Sequence, residues 1–302
     1  MSIDFTDRVV VVTGAGGGIG RAHALLLAER GATVVVNDVG LSVHGDGEAT
    51  GAAEAVVAEI EAAGGRALAS TDSIATPEGG EAIVAATVAA FGRLDVVVHN
   101  AGILRDRSFA KLSHEDVQAV IDVHLNGAFN VLIPAFKVMK GAGYGRIVLT
   151  TSSSGLFGTF GQANYAAAKA GLLGLMNVLA VEGARFGITA NAISPTALTR
   201  MTEDLLGDIA DHFDPAHVAA VVAYLASERC SLTHHVLTAG GGRVGRIFVG
   251  VTPGVYVGPE VATPETIEER LDAILDLDGH VVPDDGLGEV ALIRAALGVG
   301  AA

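Results

Sequence analysis

The sequence predicts an α/β protein: a doubly wound parallel sheet of about seven strands with helices on both faces, followed by a short C-terminal extension. Three observations carry this expectation. Short β-branched runs recur along the chain. They are continuously apolar rather than alternating, as strands buried on both faces require. Ala- and Leu-rich stretches of helical length separate them, so strand and helix alternate from the N-terminus onward.

The first run, VVVVT at 9–13, leads through the glycine-rich TGAGGGIG into a helix over 19–30. TVVVN at 33–37 precedes a helix over 50–63, ALAS at 67–70 a helix over 78–91, and VVVHN at 96–100 a long helix over 114–140. RIVLTTS at 146–152 precedes a helix over 164–185, TANAIS at 189–194 a helix over 215–227, and HVLTA at 235–239 ends the series. Right-handed crossovers between parallel strands put such helices on both faces, and ligands then sit beyond the carboxyl ends of the strands. Each polar cluster of interest follows a strand's last residue: TGAGGGIG, NDVG, TDS, HNAG, TSSSG and SPTALT.

The segment 245–302 has a different pattern. GRIFVGVTPGVYVG reads as extended. Thr263 then caps a helix opened by Pro264 and Glu265, with Ile267, Leu271, Ile274 and Leu275 on one face, and a further helix is expected near 288–297. The expected role of this extension is packing on the domain formed by 1–244, or a subunit contact.

Half of the 302 residues are hydrophobic, enough for one large core. The balance of 34 acidic to 19 basic residues gives a net charge of -15, which repels phosphate backbones and argues against nucleic-acid or anionic-membrane partners. No signal-peptide layout is evident, and no apolar run approaches the about 18 residues of a membrane span, so no membrane insertion is expected. A single cysteine, Cys230, fits a reducing compartment, and cytoplasm is the expected location. His234 and His235 are adjacent rather than at ligand spacing, and DLDGHVVPDD lacks calcium-loop spacing, so no metal site is expected.

TGAGGGIG, between the first strand and the first helix, places Gly14, Gly18 and Gly20 in the pattern T-G-x-x-x-G-x-G. Glycines there let the backbone turn tightly and approach a pyrophosphate met by the amides of the helix start, which makes Gly14, Gly18, Ile19 and Gly20 candidate dinucleotide contacts. Asp38 follows the second strand, eighteen residues past Gly20. A carboxylate there accepts both hydroxyls of an adenosine ribose and repels a 2′-phosphate, and no Arg or Lys stands beside it, which favours NAD over NADP. The alternative is a loop acid capping the next helix.

Tyr165 and Lys169 in YAAAK lie one helical turn apart, and Ser152 stands thirteen residues before Tyr165. In this order after TGAGGGIG and HNAG (99–102), they closely resemble the short-chain dehydrogenase/reductase superfamily and its Rossmann-type fold, over about residues 5–240. The resemblance implies that Tyr165 exchanges a proton with the substrate oxygen. It implies that Lys169 lowers the phenol pKa and holds the nicotinamide ribose, and that Ser152 hydrogen-bonds the reacting oxygen. By the same comparison Asp72 is the acid beside the adenine, Asn100 and Gly102 form the cofactor-side turn, and Thr199 contacts the carboxamide. Two departures stand out: Pro195-Thr196 replaces the usual Pro-Gly, and His124 in VHLNGAF replaces an Asn of the proton relay. His124 could serve that relay with its ring nitrogens or be a satisfied helix histidine.

VVVNDVGLSVHGDG and HNAGILRDRSFAKLSHEDVQAVIDVHLNGAF are similar to the (3R)-hydroxyacyl-CoA dehydrogenase domain of peroxisomal multifunctional enzymes of type 2. The implied reaction is NAD-dependent interconversion of a (3R)-3-hydroxyacyl-CoA, with a fatty or steroid-derived chain, and its 3-oxoacyl-CoA. Arg105 and Arg107 could meet CoA phosphates, or serve only in solvation and salt bridging. Two alternatives remain: a dehydrogenase of a hydroxysteroid or other free secondary alcohol, and a non-catalytic dinucleotide-binding protein, against which the intact Ser152, Tyr165 and Lys169 set counts. The family resemblance also implies a homodimer or homotetramer built on the two long helices.

Overall fold

The computed structural model describes residues 2–47, 49–198, 207–258 and 262–298. The chain divides into two compact units, Met1–Arg246 and Ile247–Ala302. Strands β1 (Val9–Thr13), β2 (Thr33–Asn37), β3 (Arg66–Ser70), β4 (Val96–His99), β5 (Gly145–Thr150), β6 (Ile188–Pro195), β7 (Val236–Gly240) and β8 (Arg243–Ile247) form one sheet. Its order is β3-β2-β1-β4-β5-β6-β7-β8, parallel from β3 through β7. Thr13 is in register with Asn37 on one side and His99 on the other, so the loops leaving β1, β2 and β4 start level.

The eighth strand exceeds the expected seven. It follows β7 after Gly241 and Gly242, both at positive φ (55° and 76°), which only a tight hairpin turn of glycines accommodates readily. RVGRI carries two arginines and alternates little, so as a short edge strand it gave no buried-strand signal.

Helices α1 (Gly18–Glu29), α2 (Ala52–Ala62) and α8 (Pro215–Ala226) share one core with the sheet: Leu27, Val56, Ile60, Val218 and Val222 meet Val10, Val12, Val34, Val36, Val96 and Val98. Alternate strand residues such as Val11, Val35, Val97, Ile147 and Leu149 are equally buried and point to the opposite face. Elements that pack with the sheet and one another there are α3 (Pro77–Phe91), α5 (Gly127–Ala142) and α7 (Ala163–Gly183). Local signals set the helix starts: Thr76 accepts from the Gly79 amide ahead of Pro77, and Ser113 accepts from the Asp116 amide.

The helix expected over 114–140 is not continuous. Helix α4 (His114–Ile121) passes through a π-helical turn, Asp122–Asn126, into α5. The extra residue in that turn shifts the helical phase and buries His124. A short helix α6 (Ser153–Phe157) also precedes α7. The stretches His114–Ala142 and Ala163–Phe186 are, by length and composition, apolar enough to cross a membrane, contrary to the expectation that no run approaches that length. Much of that apolar surface is accounted for by the core: Val120, Val131, Leu132, Leu172 and Met176 are buried.

The amino ends of β1 and β4 are tied by Asp95. Its buried carboxylate accepts from the Val9 amide at 2.9 Å, from Arg93 Nε at 2.8 Å and Nη2 at 2.7 Å, and from Arg8 at 3.3 Å. Asp95→Ala strands the buried Val9 amide and removes a shared carboxylate from Arg93 and Arg8, and is expected to cost about 2 kcal/mol by urea denaturation. A loss below about 0.5 kcal/mol would contradict that role.

In the second unit Val251 and Val281 form an antiparallel bridge through amide-to-carbonyl bonds of 2.9 and 3.0 Å. Helices α9 (Pro264–Glu269), α10 (Leu271–Leu275) and α11 (Gly286–Ala296) follow, the first capped by Thr263 and the last by Asp285. None of its described residues is buried. Leu271, Leu275, Leu277 and Leu287 are exposed, so the apolar face expected around Ile267 exists but is uncovered within this unit.

Candidate active site

The turn after β1 is closed by its glycines. Gly14 sits at φ +66°, and a Cβ there would lie 2.6 Å from the Ala101 Cα; a Cβ on Gly20 would lie 2.0 Å from the Gly14 carbonyl. The turns after β1 and β4 therefore touch backbone to backbone. Asn100 Nδ2 donates to the carbonyls of Thr13 and Gly14 at 3.3 and 3.2 Å. Thr13 Oγ1 accepts from the amides of Asn100 and Ala101 at 3.0 and 3.1 Å. With both lone pairs engaged, the hydroxyl proton goes to His99 Nδ1 at 3.4 Å, which leaves Nε2–H to donate to the His124 carbonyl at 3.0 Å. His99 is fully buried, and burial pushes its pKa down to about 4, so the ring is neutral.

At the end of β2 the Asp38 carboxylate accepts from the Gly16 amide at 2.8 Å and the Gly40 amide at 2.7 Å. It therefore sits against the glycine turn. The alternative of a cap for the next helix is not realised, because Gly51 occupies the N-cap position of α2. Asp72 accepts from Ser70 Oγ at 3.1 Å, and its carbonyl from Asn37 Nδ2 at 2.9 Å.

Helix α7 carries Tyr165 and Lys169 on one face. Lys169 Nζ donates to the Thr150 carbonyl at the end of β5, at 2.6 Å. Burial pushes this ammonium down to about 7. Gly155 in α6 makes room for it, since a Cβ there would lie 2.8 Å from the Lys169 Cβ. Ser152 Oγ accepts from the Ser154 amide at 3.2 Å. The Tyr165 phenol is held above its ordinary value of 10, chiefly by burial; a hydrogen bond with Ser152 works against that shift and the Asp106 charge adds to it. Burial thus outweighs any lowering of the kind the resemblance implies for Lys169. The ammonium is 5.6 Å from the phenol ring centroid, bonded to Thr150, and largely desolvated itself.

His124, at the centre of the π turn, is buried and meets the Tyr165 ring edge-on at 5.2 Å between centroids. Nε2 lies 3.0 Å from the Ile103 amide and 2.9 Å from its carbonyl. Among the described residues Nδ1 has no hydrogen-bond partner, and burial followed by the Lys169 charge holds the ring neutral. The satisfied-histidine alternative therefore describes one nitrogen only. Gly102 is required beneath this ring: a Cβ there would lie 2.2 Å from His124 Cε1.

A cleft of about 460 Å³ unites these parts. Gly14, Gly18, Ile19, Gly20, Asp38, Asn100, Gly102, His124, Tyr165 and Lys169 all line it. Ser152 and Asp72 are outside its lining, although each adjoins a residue or bonded partner that is within it, and Thr199 lies outside the described residues. Sequence reasoning missed Thr150, whose buried hydroxyl has no partner, and His99, whose only signal was its place beside Asn100. It also missed Leu41, Ser42, Val43 and Gly45, which come from the loop after Asp38 and wall the cleft. The glycine cradle, a carboxylate at its side and the unpartnered Thr150 and His124 atoms suit an extended polar ligand such as a dinucleotide. Among the described residues no cluster of His, Cys, Asp and Glu could hold a metal.

Comparison with known proteins gives the same direction. The short chain dehydrogenase family profile matches residues 8–209. A short-chain type dehydrogenase/reductase of Mycobacterium tuberculosis is 52% identical over 274 residues, covering 90% of this chain and 96% of the relative. A hydroxyacyl-CoA dehydrogenase of the same organism is 38% identical over 287 residues, covering 89% of this chain and 84% of that one. The structure of full-length peroxisomal multifunctional enzyme type 2 from Drosophila melanogaster superposes with a TM-score of 0.80 at 35% identity; it covers 98% of this chain, which spans only 51% of that enzyme. The chain belongs to the short-chain dehydrogenase/reductase family and is an oxidoreductase of the kind that works with a nicotinamide dinucleotide.

Proposed function

We propose that the protein is an NAD-dependent dehydrogenase that interconverts a (3R)-3-hydroxyacyl-CoA and its 3-oxoacyl-CoA. The observation that carries this reading is the single cleft lined by Asp38 beside the glycine turn and by Tyr165 and Lys169. Likeness over most of the chain to a hydroxyacyl-CoA dehydrogenase supports the choice of substrate. Gly14, Gly18, Ile19 and Gly20 would hold the pyrophosphate, Asp38 the adenosine ribose, with Asp72 nearby, and Asn100, Gly102, Lys169 and Thr199 the nicotinamide half. The bound nicotinamide supplies the hydride acceptor or donor. Tyr165 moves the proton at the substrate oxygen, and Ser152 holds that oxygen by hydrogen bonding. His124 offers Nδ1 to the proton path, the one ring nitrogen its neighbours leave unpaired.

A homo-oligomer is part of the reading, supported by the exposed Phe129 and Ile133 of α5 and Val178 and Val181 of α7, four apolar residues on the two long helices. The extension 245–302 would pack on its own domain or serve such a contact, since its apolar residues are exposed. A cytoplasmic location is proposed with it, supported by the free, buried Cys230. The absence of membrane insertion is supported by the burial in the core of Val120, Val131, Leu172 and Met176 from the two long apolar stretches.

A free hydroxysteroid or other secondary alcohol is the second reading; the engagement of Arg105 favours it, whereas the exposure of Arg107 favours the first. Arg105 is engaged by the His44 carbonyl at 3.2 Å and Asp116 at 3.8 Å. Arg107, with a 63% exposed side chain and Asp116 only at 4.0 Å, is the more available cation for a CoA phosphate. The test is dinucleotide reduction with a 3-hydroxyacyl-CoA, its free acid and hydroxysteroids, each with NAD and with NADP. The thioester with NAD is expected to give the highest kcat/KM. Equal rates for thioester and free acid would remove the CoA assignment, and equal use of NADP would remove the ribose role of Asp38.

A further inference from the structure

The loop leaving Asp38 is internally built. Thr50 donates to the Gly40 carbonyl from its amide at 3.2 Å and its hydroxyl at 3.1 Å, which pins the base of the loop. Within it the Ser42 amide donates to the Asp46 carbonyl at 2.9 Å, the Gly45 amide to the Ser42 carbonyl at 3.0 Å, and the His44 amide to Ser42 Oγ at 3.1 Å. Such a loop moves as a body rather than unravelling. Its far end crosses to the segment after β4. The Leu104 amide donates to the Val43 carbonyl at 2.9 Å, His44 Nδ1 donates to the Leu104 carbonyl at 2.9 Å, and Arg105 Nε donates to the His44 carbonyl at 3.2 Å. Gly45 packs against Ile103, where an added Cβ would lie 3.2 Å from Cδ1. Leu41, Ser42 and Val43 wall the cleft from the loop side, and Ile103 and Arg105 from the other.

Arg105 also reaches the catalytic helix. Asn164 Nδ2 donates to the Arg105 carbonyl at 3.0 Å and to the Asp116 carbonyl at 3.2 Å, and Asn164 Oδ1 accepts from the Tyr165 amide at 2.9 Å. The guanidinium pairs with the Asp116 carboxylate at 3.8 Å. One residue thus joins the loop, α4 and the start of α7.

We propose that Val39–Gly47 is a strap across the dinucleotide cleft, and that Arg105 is a positioning residue that latches it to α7. The Arg105 guanidinium holds the strap and its main-chain carbonyl meets Asn164 beside Tyr165, so the side chain sets how fast the dinucleotide leaves. The proposal rests on the dinucleotide reading above. Among the described residues three hydrogen bonds join the strap to Leu104 and Arg105, and none of them belongs to the sheet, so the strap can open without disturbing it.

The test uses the full chain. NADH is bound, then chased with excess NAD in a stopped-flow instrument, and the fluorescence decay gives the release rate; a single turnover gives the hydride step. Arg105→Ala is expected to release NADH about tenfold faster, because the strap loses its guanidinium bond, and to leave the hydride step within about threefold, because Asn164 keeps the main-chain carbonyl of residue 105. Arg105→Lys, which keeps the charge and one donor, is expected to recover at least half of the release effect. His44→Ala removes the ring contact to Leu104 but leaves the carbonyl for Arg105; it is expected to speed release about threefold with the hydride step unchanged. Wild-type release rates in both Arg105→Ala and His44→Ala would overturn the latch while leaving the dinucleotide reading intact. Failure of the wild-type protein to bind NADH would instead overturn the dinucleotide reading, and the latch with it. Should Arg105→Ala not fold, His44→Ala alone decides.

Discussion

Tyr165→Phe is expected to lower kcat by about 10³-fold while leaving the dissociation constant for NADH within a factor of about two. The phenyl ring preserves the edge-on contact with His124 at 5.2 Å and the backbone bond to Asn164, so the helix start stays in place. What disappears is the hydroxyl, the proposed proton donor and acceptor, together with its hydrogen bond to Ser152. Burial is the largest influence on this phenol and keeps its proton on near neutrality, which suits the acid role in ketone reduction. Alcohol oxidation needs the phenolate and is expected to gain rate as pH rises. Steady-state kinetics in both directions, with a fluorescence titration of NADH, check this. Activity of the variant within tenfold of wild type would remove Tyr165 from its role.

Lys169→Met is expected to abolish turnover and yet stabilise the fold. The ammonium is buried with its pKa pushed down from 10.5 to about 7, and Met fills a similar volume without charge. Below pH 7 the lysine is protonated in both the folded and unfolded chain, so the full cost of burying the charge is present. Between about pH 7 and 10.5 the unfolded chain holds a proton the folded chain has released, and wild-type stability rises with pH. Above that window the cost is gone. Losing the bond to the Thr150 carbonyl offsets part of the gain, which leaves an expected advantage for Met of about 2 kcal/mol at pH 6 that shrinks toward pH 10. His99 and His124, the neighbouring titratable groups whose pKa values feel this charge, are neutral throughout that range and add no slope. Urea denaturation at pH 6, 8 and 10 measures the difference. A pH-independent gap, or a less stable variant at pH 6, would contradict the assignment.

The layout of the sheet was legible because burial on both faces demands uninterrupted valine runs, and 9–13, 33–37 and 96–99 are little else. The π turn was not, because the apolar pattern of 114–140 runs through it without a break, and its extra residue is fixed by packing around His124 rather than by local propensity. Spacing along a single strand-to-helix turn pointed to Gly14, Gly18 and Gly20, and helical periodicity to Tyr165 with Lys169. Those are local relations. The strap's tie to Arg105 joins residues 61 apart in sequence, and the Thr13 to His99 contact residues 86 apart; no periodicity encodes such pairs. The burial that raises the Tyr165 phenol is a relation of the same kind. Sequence gives the separation of phenol and ammonium along the helix but not that the Thr150 carbonyl draws the ammonium toward itself.

His99 grips residue 124 by its main-chain oxygen, not by its ring. That main-chain bond is the same whichever side chain residue 124 carries, while the ring has its own seat against Ile103 and Gly102. A chemist installing a different proton-handling group beside Tyr165 keeps the first fastening and must rebuild the second, with a side chain that fits over Gly102 and reaches Ile103.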